Sequence, residues 1–145
     1  MNIGDKIPEV LGIDQYGNEI KASDYRGRKI VLFSYPKAST PGCTAEACSL
    51  QQYKNELEEK GYAIIGVSKD KQSAQQKFAE KNGLEFPLIA DTETTLLQTL
   101  GCWGEKVFCG KKTIGTLRTT YLVNEEGIIE QIMTPKEIKT KIHAE

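Results

Sequence analysis

An α/β fold, with a central mixed β-sheet flanked by helices and a β-hairpin at the N-terminus, is what this sequence predicts. Three observations carry the prediction. Lys29 to Ser34 (KIVLFS) and Tyr62 to Ser68 (YAIIGVS) are apolar, β-branched-rich runs of the kind found in strands buried on both faces. Stretches with helical apolar spacing lie between and after them. Thr116 to Val123 and Ile128 to Met133 flank the turn signal Asn124-Glu125-Glu126-Gly127, which predicts a closing hairpin. Strands alternating with helices, then a hairpin, imply a mixed sheet with helices on both faces.

In chain order, Val10 to Ile13 and Glu19 to Lys21 surround the turn-rich Asp14-Gln15-Tyr16-Gly17-Asn18 and read as the N-terminal hairpin. Ser23 and Asp24 suit a cap on a short helical turn ending at Gly27. The first buried strand runs from Lys29 and ends at Pro36. Thr44 to Lys60 lacks Gly and Pro and repeats apolar residues at Ala47, Leu50, Tyr53 and Leu57, a helical spacing. After the strand at Tyr62 to Ser68, Ser73 to Lys81 reads as a helix closed by Asn82-Gly83. Phe86 to Ala90 is a third strand, and Pro87 assigns it an edge position or an irregular start. Thr92 to Leu100 is a short helix ending at Gly101. The 145 residues suit one domain, 1–145, with a sizeable core.

Charge and composition exclude several functions. A formal net charge of −1 gives no basic footprint for nucleic acid and no polybasic patch for a membrane surface. Met1 to Val10 lacks the long apolar segment of a signal peptide, and no apolar run approaches a membrane span. The expected home is the cytoplasm, where thiols stay reduced and cysteines tend to be catalytic, redox-active or metal-binding.

The chemistry centres on Tyr35 to Cys48, YPKASTPGCTAEAC. A strand ends, a loop turns over Ser39-Thr40-Pro41-Gly42, and Cys43 falls in the first turn of the next helix. Unpaired amides at a helix start favour a thiolate over a thiol, lowering its pKa below roughly 8.5. Taken alone, Cys43 is either such a nucleophile or a cysteine that packs at a helix start. Thr40 can aim its hydroxyl at the sulfur or at a substrate. Pro36 has no N–H to donate and offers an apolar wall. Arg118, between apolar residues of a predicted strand, is either outward-facing or paired, because an unpaired buried charge is costly.

The string resembles the peroxiredoxins, which carry Pro-x-x-x-Thr-x-x-Cys, here Pro36, Thr40 and Cys43. The fuller match, with Gly42, Glu46 and Cys48, is similar to the PrxQ or bacterioferritin-comigratory-protein branch. The resemblance implies a thioredoxin-like fold, although the strand pattern alone also admits a flavodoxin-like order. It implies a thiol-dependent peroxidase that attacks H2O2 or an organic hydroperoxide with Cys43 and needs no metal, haem or flavin. Gly115-x-x-Arg118-x-Thr120 resembles the family's active-site arginine, which lowers the cysteine's pKa and holds the peroxide oxygens. Glu46 either pairs with that arginine or complements the positive helix start. In this branch a cysteine at the place of Cys48 resolves the sulfenic acid as a disulfide, which thioredoxin or a similar dithiol reduces. The expected state is a monomer. Family members usually continue into a C-terminal helix beyond the point corresponding to Glu145.

Cys102 and Cys109 flank Trp103-Gly104-Glu105-Lys106, a loop that also resembles the branch. They are ordinary small residues in a partly buried loop, or else a second disulfide or an alternative resolving thiol. Two rival functions remain from other classes. One is a metal-binding module, against which stands the lack of any Cys-x-x-Cys knuckle. The other is a thioredoxin-like redox sensor without turnover. His143 is the single histidine, which speaks against a histidine base and a histidine-rich metal site.

Overall fold

In the run Lys29–Ser34, neighbouring side chains point to opposite sides and are nearly all buried, so the strand must carry a layer on each face. The computed structural model describes residues 3–25, 27–35, 48, 50–52, 54–108, 111–116 and 119–133. In it this strand, β3, is the middle of a five-stranded sheet. β4 (Tyr62–Ser68) lies parallel to it on one side, followed by β5 (Leu88–Ala90), also parallel. On the other side lie β8 (Thr120–Val123), antiparallel to β3, and β9 (Ile129–Met133), antiparallel to β8. Two antiparallel strands exclude the all-parallel flavodoxin-like order.

Helices α1 (Lys54–Glu59) and α2 (Gln72–Asn82) connect the parallel strands. Both crossovers step the same way along the sheet, and right-handed connections then put both helices on one face. There Leu50, Leu57 and Phe78 pack on Val31, Phe33 and Tyr35. The opposite face is covered by α3 (Thr95–Leu100) and by the hairpin β1 (Val10–Ile13) and β2 (Glu19–Lys21). Leu11, Ile20 and Leu97 meet Leu32, Val67 and Tyr121 there. A 3-10 turn, Ala22–Tyr25, leads from β2 towards β3.

Several local expectations hold in detail. Gly83 closes α2 with φ 64°, a left-handed conformation that suits glycine, and Leu84 N–H bonds Ala79 O at 2.9 Å. β5 is the sheet edge, as Pro87 requires, with the regular strand starting one residue after the proline. The open side of β5 is met by a side chain: buried Gln15 donates to Phe86 O (3.1 Å) and accepts from Leu88 N–H (2.7 Å).

Three expectations are corrected. The helix predicted from Thr92 begins at Thr95. Thr94 adopts φ 59°, and the Asp91 carboxylate accepts from Leu97 N–H at 2.8 Å, so the chain turns once before helix geometry sets in. Thr116 to Val123 is not one strand, since Thr116 ends β7 (Lys111–Thr116) and β8 begins at Thr120. The Trp103 segment is not a loop but β6 (Trp103–Phe108), antiparallel to β7. Its signal was the two-residue spacer Cys109-Gly110, a length that suits a tight hairpin.

Candidate active site

The carboxyl ends of β3, β4 and β5 are joined by a buried polar network. Tyr35, just after β3, donates its hydroxyl to Gln75 Oε1 on α2. Gln75 Nε2 donates to Ser68 Oγ (2.9 Å) at the end of β4 and to Ile89 O (3.0 Å) in β5. Ser68 Oγ in turn donates to Asp70 Oδ2 at 2.6 Å. Tyr35, Ser68 and Gln75 are each 0 % exposed, so these bonds replace water that cannot reach them. Backbone pairing adds to the hold, because Tyr35 N–H bonds Val67 O at 3.1 Å.

Beside Tyr35, the start of β8 is pinned to the end of β3. Ser34 N–H donates to Thr119 O (2.8 Å), Ser34 Oγ donates to the same oxygen (3.1 Å), and Thr119 N–H donates back to Ser34 Oγ (2.9 Å). Pro36 follows Tyr35, and Arg118 precedes Thr119. The points from which the chain leaves for the Cys43 segment and for Arg118 are therefore neighbours at one end of the sheet. One residue further on, Thr120 is 0 % exposed and its hydroxyl has no hydrogen-bond partner among the described residues.

Of the expected site residues, Pro36, Thr40, Gly42, Cys43, Glu46 and Arg118 lie outside the described residues. Cys48 is helical and exposed, a free thiol with Sγ 3.7 Å from Asn82 Oδ1 at the end of α2. Asn82 is itself oriented by a bond from Nδ2 to Phe78 O (3.0 Å). Two residues after Cys48, Leu50 is buried in the core, and Gln51 Oε1 accepts from Glu85 N–H at 2.8 Å.

Cys102 is a different kind of thiol. It is free and 0 % exposed, with Sγ 3.6 Å from Leu97 O. Burial pushes its pKa up, against the opposing pull of hydrogen bonds with Ser34 and Tyr121 beside it, the direction opposite to that of an activated thiol. Tyr121, whose hydroxyl donates to Leu100 O (2.9 Å), is shifted upward by the same burial and by Cys102. Cys102 is thus a small core residue in the short connection between α3 and β6, and Cys109 lies outside the described residues. Lys69 Nζ sits 5.7 Å from the Trp103 ring centre, linking the end of β4 to the β6–β7 hairpin.

The sequence reading missed Gln75, and a signal was there. Gln75 precedes Phe78 and Ala79 by three and four residues, so it occupies the apolar stripe of α2, where a polar residue needs buried partners. Among the described residues, no group of three or more His, Cys, Asp or Glu could hold a metal ion, and no helix is long and apolar enough to cross a membrane.

A thioredoxin-like sheet whose central strand is followed in sequence by a cysteine-bearing segment defines a class of thiol enzymes, and the comparisons with known proteins identify the class. The AhpC/TSA family model matches residues 3–132, and this chain belongs to that family of peroxiredoxins. It is 37% identical over 139 residues to the putative peroxiredoxin bcp of Haemophilus influenzae, covering 96% of this chain and 90% of that one. To the peroxiredoxin Bcp of Escherichia coli K12 it is 36% identical over 143 residues, covering 99% and 90%. Among solved structures it resembles peroxidoxin BcpB of Mycobacterium tuberculosis, with TM-score 0.83, 29% identity and coverage of 99% and 95%. It also resembles the Xanthomonas campestris bacterioferritin comigratory protein, a structure described for its alkyl peroxide reduction activity, with TM-score 0.82, 27% identity and coverage of 97% and 96%. The protein is accordingly a thiol-dependent peroxidase, an oxidoreductase acting on a peroxide substrate and drawing on a thiol reductant.

Proposed function

We propose that Cys43 is the thiol that attacks the peroxide and that Cys48 resolves it, within one domain spanning 1–145. The Cys43 thiolate attacks the terminal oxygen of H2O2 or an organic hydroperoxide. The O–O bond breaks, the sulfur becomes a sulfenic acid, and the departing alkoxide or hydroxide takes up a proton and leaves as alcohol or water. Arg118, Thr40 and backbone N–H groups around Gly42 and Cys43 stabilise the charge that develops on the oxygens. Pro36 shields the sulfur, and Glu46 pairs with Arg118 or complements the helix start.

Cys48 then attacks the sulfenic sulfur, forming a disulfide and releasing water. A dithiol reductant, thioredoxin or a protein like it, returns both thiols and leaves as its own disulfide. A compartment that keeps such a dithiol reduced, the cytoplasm, is the setting the cycle requires. Because both cysteines belong to one chain, a monomer suffices.

The observation that carries the reading is the string from Tyr35 to Cys48 in a chain of this family, with Cys48 exposed and helical at its end. Stopped-flow oxidation of the reduced protein by H2O2 and by an organic hydroperoxide tests it. Cys43→Ser should abolish oxidation. Cys48→Ser should keep the first step, accumulate sulfenic acid and lose most thioredoxin-driven turnover. Oxidation no faster than that of free cysteine, or turnover that survives Cys43→Ser, refutes the assignment.

A further inference from the structure

We infer that Gln75, through Tyr35, is a positioning residue for the Cys43 thiol. The inference rests on the reading of Cys43 as the attacking thiol. Tyr35 is bonded to Pro36, the first residue of the segment that carries Cys43, so the point from which that segment departs depends on how Tyr35 is held. Its ring is held by packing, 5.5 Å from Phe33 and 5.8 Å from Phe78 between centroids. Packing alone lets an aromatic ring slide along its neighbours. A hydrogen bond at its tip does not, and Gln75 supplies that bond.

Gln75 is in turn immobilised from two further directions, by Ser68 Oγ and by Ile89 O. Its side-chain amide therefore reads the ends of three adjacent strands and transmits their relative position to Tyr35. A fully satisfied polar network in a sealed site adds rigidity and a unique geometry more than net stability, since apolar groups of the same shape pack as well. Most buried side chains on this face, Val31, Phe33, Leu57 and Phe78 among them, are apolar, which makes the expense of a buried glutamine there hard to attribute to folding. A thiol whose reactivity depends on converging donors is the kind of site that loses rate when its anchor shifts by a fraction of an ångström.

The test compares Tyr35→Phe, which keeps the ring and deletes the hydroxyl, with Gln75→Leu and the double variant. Gln76→Leu, on the exposed neighbour that bonds Glu80, is the control. Two quantities are read at 25 °C: the second-order rate of Cys43 oxidation by H2O2, and the pH midpoint of iodoacetamide labelling at the Cys43 peptide. The expected result is a rate loss of about tenfold or more in each single variant, an upward move of the labelling midpoint, and no further loss beyond twofold in the double. Gln76→Leu should match the parent. Rates within twofold of the parent in Tyr35→Phe, with only the melting temperature lowered, overturn the inference; so do losses that multiply in the double variant. Should Gln75→Leu fail to fold, Tyr35→Phe decides alone. Cys43→Ser, assayed in parallel, separates the two claims. Turnover surviving it overturns the role of Cys43, whereas an inert Cys43→Ser beside undiminished Tyr35→Phe overturns the positioning role only.

Discussion

Forming the Cys43–Cys48 disulfide should unwind the chain up to Cys48 and stop before Leu50. In a regular helix, positions five apart have Cα atoms about 8–9 Å from each other on different faces. A disulfide needs a Cα separation below about 7 Å. If the helix predicted from Thr44 is present in the reduced protein, its first turn must open in every cycle. The structure sets the far limit of that opening. Cys48 is exposed and, among the described residues, gives up a contact to Asn82, so releasing it uncovers little apolar surface. Leu50 is 1% exposed, and uncovering it would cost about 1.5–3 kcal/mol. The bond from Glu85 N–H to Gln51 would add about 1 kcal/mol. At 1.4 kcal/mol per factor of ten, opening past Leu50 is disfavoured by roughly 60-fold to 700-fold relative to opening before it. Hydrogen exchange read by mass spectrometry on reduced and oxidised protein measures this. Amides from Thr44 to Cys48 should exchange faster after oxidation, while those from Leu50 to Glu59 change by less than about threefold. Tenfold faster exchange beyond Leu50, or an oxidised protein with the disulfide formed and the helix intact, would refute the reasoning.

Other substitutions and conditions probe the remaining parts. Cys102, Tyr121 and Tyr25 hold their protons to higher pH in the fold than in an unfolded chain, chiefly through burial. Their contribution to stability is full below the ordinary thiol value of roughly 8.5 and is lost as the pH climbs towards the raised folded values. The urea midpoint should thus fall between pH 8.5 and 10.5, less steeply in Cys102→Ala; equal slopes would count against a buried, protonated Cys102. Gly66→Ala would bring a Cβ to 2.8 Å from Leu88 Cδ2 and 2.9 Å from Phe33 Cζ, overpacking that costs about 1–3 kcal/mol. Calorimetry should show a melting temperature lower by about 3–10 °C. Thr120→Val removes a buried hydroxyl that has no partner among the described residues, so the melting temperature should hold or rise; a fall would mean that the hydroxyl is satisfied in solution. Arg118→Ala should raise the labelling midpoint of Cys43 and slow its oxidation by at least tenfold, and an unmoved midpoint would remove Arg118 from the site.

The strands β3 and β4 were legible because both of their faces are buried, which leaves continuous apolar runs that hydropathy alone detects. The end of α2 was legible because Asn82-Gly83 carries its stop signal in the local chemistry. The β6–β7 hairpin was not, because Glu105, Lys106, Lys111 and Lys112 give it no strong apolar period, and its pairing depends on the partner strand. The start of α3 was displaced for a similar reason: Asp91 decides it by reaching six residues ahead to Leu97, a contact no local pattern encodes. At the proposed site, the string around Cys43 is readable because the roles proposed for it would each demand a particular residue type. The supporting groups are not, since Gln75 and Tyr35 lie 40 positions apart and meet only in the fold.

Gln15 has a consequence for how copies of this protein behave in a crowded solution. An unpaired strand at the margin of a sheet is a template on which another chain can extend the sheet, the first step towards aggregates with continuous β-structure. The outer side of β5 carries such backbone groups. By giving its amide N–H to Phe86 O and taking Leu88 N–H on its oxygen, Gln15 imitates the peptide group of a missing neighbour strand. A second chain would have to displace it from a buried position before the first rung of a ladder could form. One side chain from the N-terminal hairpin, together with Pro87 at the strand's entry, thus keeps the edge from propagating.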